Sequence, residues 1–366
     1  VGTRLVTRAN GKLSIAYIER LVRELADLRN QGHEIILVSS GAVGAGMGRL
    51  NLTKRPNAVR KKQACAAVGQ GLLIHIYEKL FSEYGQVVAQ ILLTRGDLIN
   101  RRRYINACNT LVTLLDWGVI PIINENDTVS VQEIKFGDND RLSALVAGLC
   151  DANLLIILTD IDGLYKTNPH IDPQAAMIRE VRQITAEIKG YAGNSREELA
   201  TGGMITKLQA AEIAVNSGIG MIIANGKDPA VLNRIICGEK IGTYFHPVKR
   251  FLNRRKRWIA FGRVEQGKVA VDDGACNALC REGKSLLPVG ITEVYGSFKK
   301  GELVVVVDRL GREIGRGLSN FSSAELCKIK QRHCAEIADR IGRHAADEVI
   351  HRDNLVIYNE EGQTLI

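Results

Sequence analysis

Long apolar runs are missing from this 366-residue sequence. Stretches such as Leu154–Leu158 fall far below the ~18–20 residues that a membrane-spanning helix needs, so no membrane span or membrane partner is expected. No charged-then-apolar leader opens the sequence, nothing points to export, and a cytoplasmic location is expected. Cysteine is sparse: the eight are Cys65, Cys108, Cys150, Cys237, Cys276, Cys280, Cys327 and Cys334. None forms C-x-x-C, and no Cys/His cluster has zinc-ligand spacing, so no metal ligand set is read. A disulfide scaffold is excluded and reduced thiols are expected. Aromatics make up only 5% of residues, which weakens any reading built on stacking of nucleic-acid bases. The net charge of +9 permits polyanion binding without demonstrating it. That excess is spread along the chain, with one dense cluster at Lys249, Arg250, Arg254, Arg255, Lys256 and Arg257.

Glycine is plentiful (36) where proline is scarce (7), a balance that suits an α/β protein whose strand-to-helix turns approach a ligand. Ile15, Ile18, Val22, Leu25 and Leu28 fall at helical spacing, with Gly32 as a C-terminal cap. The buried run Ile35–Val38 follows. Helices are then predicted over roughly Val59–Phe81, near Tyr104–Leu115, near Leu142–Leu149 and over Ile205–Val215. Between them lie the solid apolar runs Val87–Leu93, Val119–Ile123, Leu154–Leu158 and Met221–Ala224. Runs apolar on both faces and separated by helices predict a mostly parallel sheet covered by helices on both sides. After about Pro247 the pattern changes to short strands and glycine-bearing turns, which predict a small β-rich barrel. The expected organisation is an α/β domain over 1–246, a basic linker over 247–257, a β-rich domain over 258–345 and a tail over 346–366.

In an open parallel sheet, ligands sit beyond the carboxyl ends of the strands. After Ile35–Val38 comes Ser39-Ser40-Gly41-Ala42-Val43-Gly44-Ala45-Gly46, a small-residue loop opening a helix with N–H groups available to an anion. It fits neither G-x-x-x-x-G-K-[ST] nor G-x-G-x-x-G, and it also reads as a plain tight turn packing helix on sheet. After Val119–Ile123 comes Asn124-Glu125-Asn126-Asp127, and Gly137-Asp138-Asn139-Asp140 follows. Five carboxylates (Glu125, Asp127, Glu133, Asp138, Asp140) face Lys135 and Arg141 there, at the end of a buried strand and the start of an apolar helix. Ordinary helix capping is the competing account. Thr159-Asp160 closes the Leu154–Leu158 run. Thr201-Gly202-Gly203-Met204-Ile205-Thr206-Lys207 opens a helix with the hydroxyl, N–H donors and point charge that suit phosphate.

The order of these segments is more specific than any one of them. VSSGAVGAG, INENDTVS, FGDNDRLSALVA, LLIILTDIDGLY and TGGMITKLQAA follow one another across Val38–Ala211. The set resembles the amino-acid kinase family and, within it, the branch that phosphorylates glutamate. Beyond it, NRRKRW (Asn253–Trp258) and GKSLLPVGI (Gly283–Ile291) resemble the small C-terminal PUA domain of bacterial members. The resemblance implies transfer of the ATP γ-phosphoryl group to the γ-carboxylate of L-glutamate, giving L-glutamyl 5-phosphate, the first step of proline biosynthesis, with Mg²⁺ as cofactor. By the same resemblance, Ser40, Asp127 and Asn139 contact glutamate, and Thr159, Asp160 and Thr201–Lys207 contact ATP. Lys207 neutralises phosphoryl charge and Asp140 orients catalytic lysines. Feedback inhibition by proline and self-association as a dimer or tetramer are implied likewise.

The chemistry agrees with these parts. A carboxylate is already a nucleophile, so no general base is required; the difficulty is to bring two anions together, which calls for cations and helix N-termini. Family members carry an apolar strand ending in a Lys directly before the Gly-Thr pair. Here that Lys would lie one position before Val1, so a truncated sequence is expected. Two alternatives stay open: the same fold with aspartate, carbamate or a nucleoside monophosphate as acceptor, and an RNA-binding PUA protein. The +3 charge of residues 251–366 speaks against the second.

Overall fold

The computed structural model describes residues 1–366 except 9, 55, 130–138, 168–171, 173, 193–202, 249–253, 262–266, 334–335, 342–346, 359–363 and 366. The chain divides into two units, Val1–Lys249 and Arg250–Ile366. No helix among the described residues is long and apolar enough to cross a membrane.

The first unit begins α1 (Thr3–Val6), α2 (Ile15–Asn30), β1 (Leu37–Val38), α3 (Ala42–Arg49), α4 (Val59–Glu83), β2 (Val88–Leu93), α5 (Arg95–Ile99), α6 (Arg101–Asp116) and β3 (Ile120–Glu125). It continues α7 (Asn139–Leu149), β4 (Leu154–Thr159), β5 (Leu164–Tyr165), β6 (Met177–Ile178), β7 (Glu180–Val181), α8 (Ala186–Gly190), α9 (Met204–Asn216), β8 (Gly220–Asn225), α10 (Val231–Ile236) and β9 (Thr243–Phe245). Helix α2 buries Ile18, Leu21, Val22, Leu25 and Leu28 along one stripe and stops where Gly32 adopts φ +94°, a conformation that side chains disfavour.

The strands form two ladders. β1, β3 and β2 are parallel in the order β1-β3-β2. The other runs β4-β8-β9-β7, with β4 parallel to β8 over six residues and β9 antiparallel to β8. The Val1 amino group donates to the Val38 carbonyl at 2.8 Å and Gly2 N–H to the Leu158 carbonyl at 3.0 Å, so the first two residues bridge β1 and β4. Alternation along the strands divides the core. Leu37, Ile120 and Ile122 pack with α2 and α4, whereas Val38 and Ile123 pack with Leu111, Leu142 and Leu149 of α6 and α7. That is the two-sided helical cover of a parallel sheet.

Helices α3 and α4 meet backbone to backbone. A Cβ added at Gly69 would lie 1.8 Å from the Ala42 carbonyl oxygen, and one at Gly46 would lie 1.8 Å from that of Cys65. Only glycine fits at such distances. The contact clamps the β1–α3 turn, which carries Ser39 and Ser40, against α4.

The second unit comprises α11 (Arg254–Phe261), β10 (Gly267–Val271), α12 (Asp273–Cys280), β11 (Ile291–Gly296), β12 (Leu303–Val307), β13 (Glu313–Leu318), α13 (Ser323–Ile329), α14 (Ile337–Ile341), β14 (Leu355–Tyr358) and β15 (Thr364–Leu365). Its sheet runs β11-β10-β12-β13-β14-β15, antiparallel except for β10 with β12. No described ladder closes β15 onto β11. β12 is buried on both faces: Val304 and Val306 join the main core, Val305 and Val307 a smaller one with Ala270.

Two expected boundaries are corrected here. Residues 254–257, expected in a linker, belong to α11, which packs on β13 and β14 and buries Trp258, Ile259 and Ala260. Residues 355–358, expected in a tail, form β14, whose Leu355, Val356 and Ile357 are buried against β13. At α11 the burial of apolar side chains outweighs the local charge pattern.

Candidate active site

The site is assembled from the ends of β1, β3 and β4 and the starts of α7 and α9. At the end of β1, Ser39 and Ser40 are buried and Gly41 takes φ +98° to turn the chain into α3. At the end of β3, Asn124 is 3% exposed. Asn139, the first residue of α7, donates through Nδ2 to the Ser40 hydroxyl at 2.8 Å, the Ser39 carbonyl at 2.8 Å and Asn124 Oδ1 at 2.9 Å. Asn124 Nδ2 donates in turn to Gln70 Oε1 of α4 at 2.8 Å. Below them the Ser39 hydroxyl meets the Tyr77 hydroxyl at 3.0 Å. Burial pushes that phenol up to about 12, opposed by its hydrogen bond with Ser39, so Tyr77 stays neutral at ordinary pH.

One residue further along α7, Asp140 turns toward α9. Its Oδ2 accepts from Lys207 Nζ at 3.0 Å and from the Thr206 hydroxyl at 3.0 Å. The Lys207 side chain is 7% exposed and that of Asp140 12%, so the pair is largely out of water. A desolvated pair of this kind fixes position more than it adds stability. The amino end of α9, capped at Gly203, adds partial positive charge beside it. At the end of β4, Thr159 donates to Asp160 at 3.2 Å, and Arg4 of α1 reaches the same carboxylate at 2.8 Å. Burial raises the Asp160 carboxyl, but the hydrogen bond and charge of Arg4, a backbone N–H and Thr159 together hold it below the usual carboxylate range.

These groups line one open cleft of about 2480 Å³ that includes Ser40, Asp127, Asn139, Asp140, Thr159, Asp160, Gly203, Met204 and Lys207. Thr206 reaches it through Asp140, whereas Ile205 is 39% exposed and is not on its wall. Thr201 and Gly202, together with Glu133, Lys135 and Asp138, lie outside the described residues. The structure thus brings Ser40 and Asn139 into direct contact and sets Asp140 and Lys207 as an ion pair. Asp127 is half-buried and lines the same cleft.

Sequence reasoning placed Asn124 in a candidate segment without giving it a role, and missed Gln70 and Arg4. A signal for Gln70 was present: it takes the polar place in the buried stripe Ala66, Leu73, Tyr77 and Phe81 of α4. No group of three or more His, Cys, Asp or Glu among the described residues is arranged to hold a metal ion. The cleft suits Mg²⁺ that arrives on nucleotide phosphate oxygens, the usual way this ion binds beside substrate phosphates.

Known proteins resemble this chain over nearly its whole length. The amino acid kinase family matches residues 1–225, and the PUA domain matches residues 267–341. A glutamate 5-kinase of Caldanaerobacter subterraneus subsp. tengcongensis is 56% identical over 357 residues, covering 98% of this chain and 96% of that protein. Glutamate 5-kinases of Moorella thermoacetica (50% identical, covering 98% of this chain and 94% of that one) and Microcystis aeruginosa (49%, covering 100% and 97%) are similar over the same span. With its α/β unit matched almost from end to end and its second unit matched as a PUA domain, this chain belongs to the amino acid kinase family.

Proposed function

We propose that this chain transfers the γ-phosphoryl group of ATP to the γ-carboxylate of L-glutamate, giving L-glutamyl 5-phosphate and ADP, the first step of proline biosynthesis. The observation that carries the reading is the convergence in one cleft of the Ser40–Asn139 contact and the Asp140–Lys207 pair. The first is a polar cradle for a small amphoteric acceptor; the second holds a buried cation where phosphoryl charge would sit. Similarity of 49–56% to glutamate 5-kinases supplies the acceptor's identity.

The reaction needs position and charge. A γ-carboxylate oxygen attacks the γ-phosphorus, and the bond from that phosphorus to the β–γ bridging oxygen breaks, leaving ADP. No proton has to be removed first. Lys207, held by Asp140, neutralises oxygens of the transferring group, and the N–H groups opening α9 face the same anion. Mg²⁺, carried with the nucleotide, supplies further positive charge. Asp127 pairs with the substrate ammonium, while Thr159 and Asp160 serve the nucleotide side. Gly203 and Met204 at the start of α9 complete the nucleotide contact, with Thr206 acting through Asp140.

Proline presents the same ammonium and carboxylate groups as glutamate, which supports feedback inhibition in the acceptor pocket. A homo-oligomer and a cytoplasmic location complete the reading. The PUA match supports an accessory polyanion-binding role for the second unit.

The test supplies ATP, Mg²⁺ and either glutamate or aspartate, with hydroxylamine to trap the acyl phosphate. Hydroxamate from glutamate is expected; hydroxamate from aspartate alone, or ADP release only with carbamate or a nucleoside monophosphate, overturns the choice of acceptor.

A further inference from the structure

The amide network behind the cleft has a fixed polarity, set at two backbone anchors. The Ser39 carbonyl can only accept, so the Asn139 atom facing it at 2.8 Å is the Nδ2 donor. The Glu125 N–H can only donate, and it points at Asn124 at 2.9 Å, so that atom is Oδ1. The same Asn124 Oδ1 accepts from Asn139 Nδ2 at 2.9 Å. Asn124 Nδ2 must then meet an acceptor, and Gln70 Oε1 provides it at 2.8 Å. Asn124 and Gln70 are 3% and 8% exposed, so no bulk water substitutes for either partner.

This order has a consequence at the cleft. The two protons of Asn139 Nδ2 are spent on three inward acceptors. Its Oδ1 makes no hydrogen bond among the described residues, and Asn139 lines the cleft. The Ser40 hydroxyl accepts from Asn139, which leaves its own proton for an acceptor in the cleft. The cleft lining therefore presents an acceptor oxygen at Asn139 and a donor at Ser40, and the Asp127 carboxylate lines the same cleft.

From this geometry we infer that Gln70 is a positioning residue for the acceptor substrate: through Asn124 it holds the Asn139 amide with Nδ2 inward and Oδ1 outward, so that the site receives an ammonium group there. Gln70 does not line the cleft and touches no reacting atom. The backbone anchors set which way each amide faces; Gln70 supplies the acceptor for Asn124 Nδ2, without which the Asn124–Asn139 pair is held less firmly in that orientation. A buried amide left without its acceptor is destabilised enough to loosen the chain of amides without unfolding the domain. The inference rests on the reading that Asn139 faces the amino-acid acceptor.

The experiment measures kcat and the KM values for glutamate and ATP, by hydroxamate formation, for the full chain and for Gln70→Met, Gln70→Glu and Asn139→Ala. Gln70→Met keeps the shape and removes the acceptor; it should raise the glutamate KM about tenfold, with kcat and the ATP KM within about twofold of the parent. Gln70→Glu restores an oxygen acceptor toward Asn124 and should bring the glutamate KM back to within about threefold. An unchanged glutamate KM in Gln70→Met, or a parallel change in all three constants, overturns the inference. If Gln70→Met does not fold, a glutamate KM in Gln70→Glu well above threefold of the parent overturns it alone. If Asn139→Ala leaves the glutamate KM unchanged, the acceptor-site reading itself falls. If Asn139→Ala raises it while Gln70→Met does not, only the role of Gln70 falls.

Discussion

Replacing Gly69 and Gly71 by alanine, two positions apart on α4, should move stability in opposite directions. Helix propensity alone predicts a gain of up to about 1 kcal/mol at each, because alanine is the better helix former. At Gly71 nothing lies within 4 Å of the added Cβ, so that gain should appear in full. At Gly69 the Cβ would meet the Ala42 carbonyl oxygen at 1.8 Å, the Gly46 nitrogen at 2.4 Å and the Ala42 carbonyl carbon at 2.8 Å. These are backbone atoms of α3 and cannot swing aside. The helices would have to part by about 1.5 Å to restore ordinary contact distances. Overpacking of this kind costs about 3 kcal/mol, the upper part of its usual range, which the propensity gain offsets by about 1. For a unit of this size the net loss lowers Tm by roughly 4–8 °C, whereas Gly71→Ala raises it by roughly 1–4 °C. Because α3 begins directly after Ser40 and Gly41, Gly69→Ala should also raise the glutamate KM. Thermal unfolding of the two variants side by side decides the matter. Shifts of the same sign would refute the argument that the α3–α4 approach depends on the missing side chain.

Acid sensitivity should depend on Arg4. Asp160 has a lower folded-state pKa than in the unfolded chain, so its stabilisation is fully present above the unfolded carboxylate range and is lost as pH falls through the folded value. Arg4→Ala should weaken that part of the acid decline in Tm while leaving the alkaline side unchanged; an unaltered pH profile contradicts the assignment. Tyr77→Phe removes the buried hydrogen bond to Ser39 and should cost about 1 kcal/mol in a denaturant titration with an unchanged m-value. No loss of stability in that variant would show the contact to be energetically idle.

Much of the α/β unit was legible because its signals are local. The stripe from Ile18 to Leu28 marks α2, and the solid run at Ile120–Ile123 marks β3 with both faces covered. The rule that ligands lie beyond strand ends pointed to the segments that hold Ser40, Asp127, Asn139, Thr159 and Asp160, glycines opening a helix pointed to the segment of Lys207, and the resemblance proposed a role for each. What local patterns do not carry is pairing. That the N-terminal residues bridge two separate ladders depends on the bonds of Val1 and Gly2 to strands far along the chain. The charges of 254–257 read as a linker because nothing nearby shows that Trp258 and Ile259 bury themselves on β13 and β14. The strand Leu355–Tyr358 read as tail because its partner, β13, is distant in sequence. Gln70 left only a faint signal for a related reason: a single glutamine in an apolar stripe acquires meaning only once Asn124 is seen to need its oxygen.

In the proposed transfer, Lys207, fixed by Asp140, offsets the charge of the group in transit. The most direct test is the kcat of Lys207→Met in the hydroxamate assay, with glutamate and ATP both saturating and folding checked by circular dichroism. Loss of one preorganised charge stabiliser typically slows such a step ~10²–10³-fold, and a kcat reduced by at least about 100-fold, with a glutamate KM within about threefold of the parent, is the expected outcome. A folded Lys207→Met chain whose kcat stays within a few-fold of the parent would contradict the account.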